Sequence, residues 1–164
     1  SSGQAGGSAL SRPGVMPWVE LDQASAAAAC AEAGARLCTV AELLAACAGP
    51  EAARSYPYGQ QRRPGACNDY HEGAGPGPTA AAPGCATPEG LWDLVGNVAE
   101  WAAQDGQEEP AVVGGSATLS ALAVSLQLDR CGVTERLPAA MRRRDVGFRC
   151  CGRPPLATQG DASP

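Results

Sequence analysis

Cysteine stands at positions 30, 38, 47, 67, 85, 131, 150 and 151 of this 164-residue chain, an even number spread over most of its length. The chain has little else with which to close a core. Its residues are 45% hydrophobic, but 33 are alanine, one is phenylalanine and none is isoleucine, and Leu, Val and Phe together number only 24. So few large apolar side chains approach the composition of disordered chains. The cysteines argue for order: an even count in such a chain reads as a disulfide framework, each bridge contributing typically about 2–4 kcal/mol by restricting the unfolded ensemble. Such a framework implies an oxidising compartment. Zinc binding is the competing use of the same sulfurs, but no Cys-x-x-Cys occurs and His71 is the only histidine.

A net charge of −5 and a pI near 4.8 rule out a broad phosphate-neutralising surface, although Arg142, Arg143 and Arg144 are consecutive. Nucleic acid is therefore not an expected partner. No run approaches 18 apolar residues, so no membrane-spanning helix is expected, and no charged n-region with an apolar h-region opens the chain. On this reading an exported chain has already lost its leader. The absence of Lys and Ile beside abundant Ala, Gly, Pro and Arg points to a GC-rich bacterial genome.

Residues 1–14 read as a flexible linker and 152–164 as a disordered tail, leaving an ordered domain over 15–151. Asp22 is placed to cap an Ala-rich helix over 23–33 that Gly34 ends. Thr39 and Glu42 have the spacing of a capping box, which predicts a second helix to about residue 48, before Gly49-Pro50. Residues 51–88 keep no apolar period and read as a long loop region, with Cys67 and Cys85 bracketing its middle. Short β segments are expected at 112–116, 122–128 and 146–151.

Within GLWDLVGNVAEW, Asp93 and Glu100 offer hard carboxylate oxygens, and Gly96-Asn97 permits a tight turn that aims backbone carbonyls toward them. Hard oxygens in a flexible loop suit calcium. The alternative is that Asp93 caps a turn, Glu100 meets an arginine, and Trp92 and Trp101 are core aromatics. Asn68, Asp69, Tyr70 and His71, with Trp92, form a candidate contact surface, because polar loops carrying a few aromatics suit carbohydrate or protein recognition.

The segments ARLCTVAELLAAC, SYPYG, GLWDLVGNVAEW, VVGGS and DVGFRCC occur in the order and approximate spacing of the formylglycine-generating enzyme (sulfatase-modifying factor) family, which the chain resembles over 15–151. The resemblance implies an α+β domain, a loop-rich, disulfide-stapled variant of the C-type lectin-like fold. It also implies that Cys30 pairs with Cys150 and Cys47 with Cys131; Cys67 with Cys85 and Cys38 with Cys151 are then left. Calcium would be held by the Asp93 side chain, the Gly96 and Val98 carbonyls and the Glu100 side chain.

The copper-binding thiolates of the family's oxidases should stand three and eight residues beyond Ser116, where this chain has Leu119 and Val124. Neither hydrocarbon side chain ligates a metal, so copper is not expected, and neither is oxidation of a substrate cysteine. Family members carry further strands before the segment matching 15–30, so the resemblance implies an exposed sheet edge open to another copy. The resulting expectation is a non-catalytic pseudoenzyme, secreted, periplasmic or on a bacterial cell surface. It would be steadied by calcium and disulfides, and would bind a protein, a carbohydrate or copies of itself. The alternatives are an oxidoreductase of the same family with unrecognised metal ligands, and a structural subunit of a surface assembly.

Overall fold

The structure is a computed structural model and describes residue 9 and residues 12–69, 75–103 and 109–152. Helix α1 (Gln23–Glu32) begins where the Asp22 carboxylate accepts the Ser25 N–H at 2.8 Å. Gly34, at φ +73°, turns the chain into strand β1 (Arg36–Leu37). Helix α2 (Val40–Ala48) opens on a complete capping box: the Thr39 hydroxyl accepts the Glu42 N–H, and the Glu42 carboxylate accepts the Thr39 N–H. Both helices therefore start where their side-chain caps place them. A 3₁₀ turn (Pro50–Ala52) follows, and then irregular chain runs to strand β2 (Ala99–Trp101).

The remaining elements are β3 (Ala111–Val113), α3 (Ala121–Ser125), β4 (Thr134–Arg136), β5 (Val146–Phe148) and β6 (Cys150–Cys151). Four strands form one sheet in the order β4-β3-β2-β5, antiparallel except where β5 lies parallel to β2. β1 and β6 make a separate antiparallel pair, with Leu37 opposite Cys150. Trp101 sits at the centre of the larger sheet, opposite both Val112 and Phe148, wholly buried, and its indole N–H donates to the Leu21 carbonyl.

The interior divides into two clusters. One gathers Leu21, Cys30, Leu37, Trp101, Val112 and Val146 between α1 and the sheet; the other gathers Cys38, Leu43, Cys47, Cys67, Cys85, Leu94 and Val95 beside α2. Sulfur thus fills volume that Leu, Ile and Phe occupy in richer sequences. Four disulfides join Cys30 to Cys150, Cys38 to Cys151, Cys47 to Cys131 and Cys67 to Cys85, over sequence separations of 120, 113, 84 and 18. The first three tie the helical half to the later strands and loops. The α+β, disulfide-stapled, loop-rich architecture expected from the sequence is the one present.

Several local expectations need correction. The β segment at 122–128 is instead α3 and an irregular stretch, because the Ser120 hydroxyl caps a helix by accepting the Ala123 N–H. The segment at 112–116 ends at Val113, since Gly114 and Gly115 both take positive φ. The segment at 146–151 is two strands belonging to different sheets, split at Arg149. Part of the expected linker is tied down: Gly14 N–H donates to the Thr79 carbonyl and the Thr79 hydroxyl to the Arg12 carbonyl. The rest of that linker apart from Ala9, and the tail from 153, lie outside the described residues. No helix among the described residues is long and apolar enough to cross a membrane.

Candidate functional site

The turn linking Trp92 to β2 is built from backbone that ordinary residues avoid. Asp93 and Asn97 both lie in the left-handed region, at φ +56° and +57°, on either side of Gly96 at φ +75°. A Cβ at Gly96 would stand 2.6 Å from the Asn68 carbonyl oxygen, so only glycine fits this crossing. Asn97 locks it. Its N–H donates to the Asn68 carbonyl, its side-chain amide donates to the Gly77 carbonyl, and its side-chain oxygen accepts from Gly77 N–H and from the Asn68 amide. These bonds bring Asn68 and Gly77 against the segment that leads into the central strand.

Asp93 is buried, and one carboxylate oxygen accepts the Ala80 N–H at 2.7 Å. Burial pushes its carboxyl pKa up, while the Ala80 N–H and the charge of Arg149 act in the opposite direction. Glu100, buried on β2, faces Arg149: Nε lies 3.0 and 3.1 Å from its two carboxylate oxygens and Nη2 lies 2.8 Å from Oε1. The same Nη2 donates to the Trp92 carbonyl at 2.8 Å. Arg149 thus clamps both ends of the Trp92–Glu100 turn, as the alternative reading of Glu100 expected.

Of the four positions expected to hold calcium, Glu100 is engaged by Arg149 in this arrangement. Both Glu100 oxygens serve a guanidinium, and a divalent cation placed beside them would face the positive charge of Arg149. Gly96 and Val98 lie in the same turn and would supply only carbonyls. Among the described residues, no group of three or more His, Cys, Asp or Glu side chains is arranged to hold a metal ion.

The turn borders two hollows. A cavity of about 340 Å³ is lined by Cys67, Asn68, Gly77, Asp93 and Asn97. A groove of about 670 Å³ is lined by Met16, Trp18, Leu43, Leu91, Trp92 and Phe148 with Glu42, Asp93, Glu100 and Arg149, and by Cys38, Cys150 and Cys151. Trp18 and Phe148 contact each other at a tilted 5.9 Å, and both are half-buried, as is Trp92. The groove combines half-buried aromatic surface with the Glu100–Arg149 ion pair.

The other candidate contact residues separate. Asn68 joins the turn. Asp69 is a correction to the contact surface: it is only 1% exposed and faces Arg62, whose Nη2 lies 3.0 Å from it. Arg62 also pairs with the wholly buried Asp129, one of whose oxygens has no hydrogen-bond partner among the described residues. Tyr70 and His71 lie outside the described residues. Leu119 and Val124 are half-buried hydrocarbons at the entry to and within α3, and every cysteine is in a disulfide.

Sequence reasoning missed two groups. Arg149 stood in the GFRC motif without an assigned partner, 49 residues from Glu100. Asp145, buried, accepts from the Ser116 and Thr118 hydroxyls at 2.9 and 2.7 Å and pairs with Arg143 at 2.6 Å. Burial would raise its carboxyl pKa, but these donors hold it well below the usual carboxylate range. Only the density of charge in RRRD signalled it.

Comparison with known proteins agrees with this fold. The crystal structure of CarF is 23% identical, with a TM-score of 0.53 over 70% of this chain and 46% of that one. PvdO from Pseudomonas aeruginosa is 18% identical, with a TM-score of 0.64 over 81% of this chain and 60% of that one. Treponema denticola variable protein 1 is 22% identical, with a TM-score of 0.55 over 73% of this chain and 48% of that one. The chain spans about half to three fifths of the length of these structures, which share its fold. No curated protein sequence matches it. Residues 1–154 match the sulfatase-modifying factor enzyme 1-like domain, FGE-sulfatase, and the chain belongs to that family.

Proposed function

We propose that this domain is a non-catalytic recognition module working outside the reducing cytosol, and that it takes a protein or carbohydrate ligand in the groove beside the Trp92–Glu100 turn. The observation that carries this reading is the groove itself, where half-buried Trp18, Trp92 and Phe148 line a space that also holds the Glu100–Arg149 pair. Aromatic faces of this kind stack on sugar rings and cover apolar side chains, and a few fixed polar groups orient the ligand. The cysteines support the same conclusion, because all eight sulfurs are joined in disulfides and none is left as a thiolate for Cu(I). Four bridges also suit an oxidising compartment.

Tryptophan emission of the folded domain, recorded against panels of peptides and oligosaccharides, tests the groove. The expected result is a ligand that shifts the emission and binds Trp92→Ala about tenfold or more weakly. Ligands that bind Trp92→Ala and the parent equally would reject the groove. The oxidoreductase alternative makes a different demand: copper-loaded protein given a cysteine-containing peptide would consume oxygen.

Calcium belongs to the proposal through Asp93, Gly96, Val98 and Glu100, and it requires Arg149 to release Glu100. A rise in Tm with millimolar calcium that Asp93→Asn abolishes supports it. Calorimetric titration of chelator-treated protein without heat removes calcium from the reading. Assembly of copies is favoured by one feature, the outer strand β4, whose three residues are all exposed. Sedimentation of a concentrated sample as a monomer would dismiss it.

A further inference from the structure

We propose that Cys38–Cys151 is an exchangeable disulfide, opened by small thiols that enter the groove while the other three bridges stay closed. Two independent observations lead here. The first is placement: Cys38, only 1% exposed, and half-buried Cys151 both line the groove, whereas the Cys67–Cys85 pair is buried and neither Cys47 nor half-buried Cys131 borders the groove.

The second is redundancy. Cys30 and Cys38 are eight residues apart, and their partners Cys150 and Cys151 are adjacent, so two bridges fasten the same two stretches of chain. Once either is closed, the other restrains only a short additional loop, and the entropic effect of a bridge grows with the loop it closes. Opening one of the two thus frees little. Cys47–Cys131 and Cys67–Cys85 have no such duplicate. Redundancy is shared equally by the two neighbouring bridges, and Cys150 lines the groove half-buried as Cys151 does. The leaving sulfur distinguishes them, because attack on Cys150 would strand the Cys30 thiolate in the apolar core beside Trp101, whereas Cys38 borders the groove, so exchange falls on Cys38–Cys151.

The chemistry balances with a thiol as reductant. A thiolate attacks the Cys151 sulfur, forms a mixed disulfide and expels Cys38 as a thiolate that takes up a proton. A second thiol then releases Cys151, so two thiols are oxidised to one disulfide while the bridge gains two electrons and two protons. The paired strands β1 and β6 remain joined throughout by Cys30–Cys150 and their own ladder. The inference stands whether or not the groove also holds a ligand.

The test treats the folded protein with reduced glutathione, without denaturant, followed by alkylation and site-resolved tandem mass spectrometry. The expected result is a glutathione adduct on Cys151 and alkylated Cys38, forming about tenfold faster than label at any other cysteine. Earlier labelling elsewhere, simultaneous opening of all four bridges, or no reaction until urea is added would each overturn it. The Cys38→Ser/Cys151→Ser double variant is expected to fold, keep three bridges, lose the fast adduct, and melt about 10 °C lower or less. Failure of that variant to fold would refute the redundancy.

Discussion

The Trp92–Glu100 turn and the segment 116–128 are both stretches without a persistent apolar period, yet they are held in opposite ways. In the turn, polar atoms are buried and paired. Asn97 alone makes four hydrogen bonds to Asn68 and Gly77, and Arg149 fastens both ends. In the other segment a five-residue helix is started by Ser120 and exposes its bulk: Leu122 is 67%, Leu126 62% and Leu128 41% exposed. A turn held by buried polar side chains can therefore be the firmly fastened part of a small domain, and a leucine-rich segment the loosely supported part. Rigidity follows from saturated buried groups, because each one left unpaired costs about 1–3 kcal/mol.

Substitutions should separate the two regions sharply. The largest expected effect is Gly96→Ala, which forces a Cβ against the Asn68 carbonyl in a left-handed conformation; a loss of about 4 kcal/mol in urea unfolding is expected. Asn97→Ala should follow at about 3 kcal/mol, since it leaves the Gly77 N–H and carbonyl without their partner.

Asp145→Asn extends the comparison to the place where the second segment begins, at Ser116 and Thr118. A loss of about 2 kcal/mol is expected at pH 7. Because the folded carboxyl titrates below its unfolded value, its contribution is complete above the unfolded pKa near 4 and disappears as pH falls through the folded one. The gap between parent and variant should therefore stay constant from pH 7 to about pH 5 and narrow on further acidification. A gap that widened toward acid would reverse the assignment. The smallest expected effect is Leu122→Ser with Leu126→Ser, within about 0.5 kcal/mol of the parent by the same measurement. A loss as large as that of Asn97→Ala would show that the leucines are covered, and the contrast between the regions would fail.

The helices were legible because their signals are local: Asp22 with Ser25, and Thr39 with Glu42, act across three residues. Helix α3 was not, since a short apolar run without a strong period fits either element until Ser120 is seen to cap it. β2 and β4 gave no signal at three residues each, their pairing being set by the sheet around them. The site was half legible. GLWDLVGNVAEW marked Asp93, Gly96 and Glu100 as special, but their charge partner lies on the far side of the chain. Which cation Glu100 meets is a matter of tertiary contact, which no local pattern encodes.

The parallel seating of β5 against β2 has a consequence for how the molecule is made. Trp101 emerges from the ribosome long before Val146 and Phe148, the neighbours that finish covering its strand, so an apolar flank waits open while some forty further residues are synthesised. During that interval the nascent chain is vulnerable to wrong partners, and help from a holding chaperone would matter more here than in a protein whose strands pair in the order they are translated.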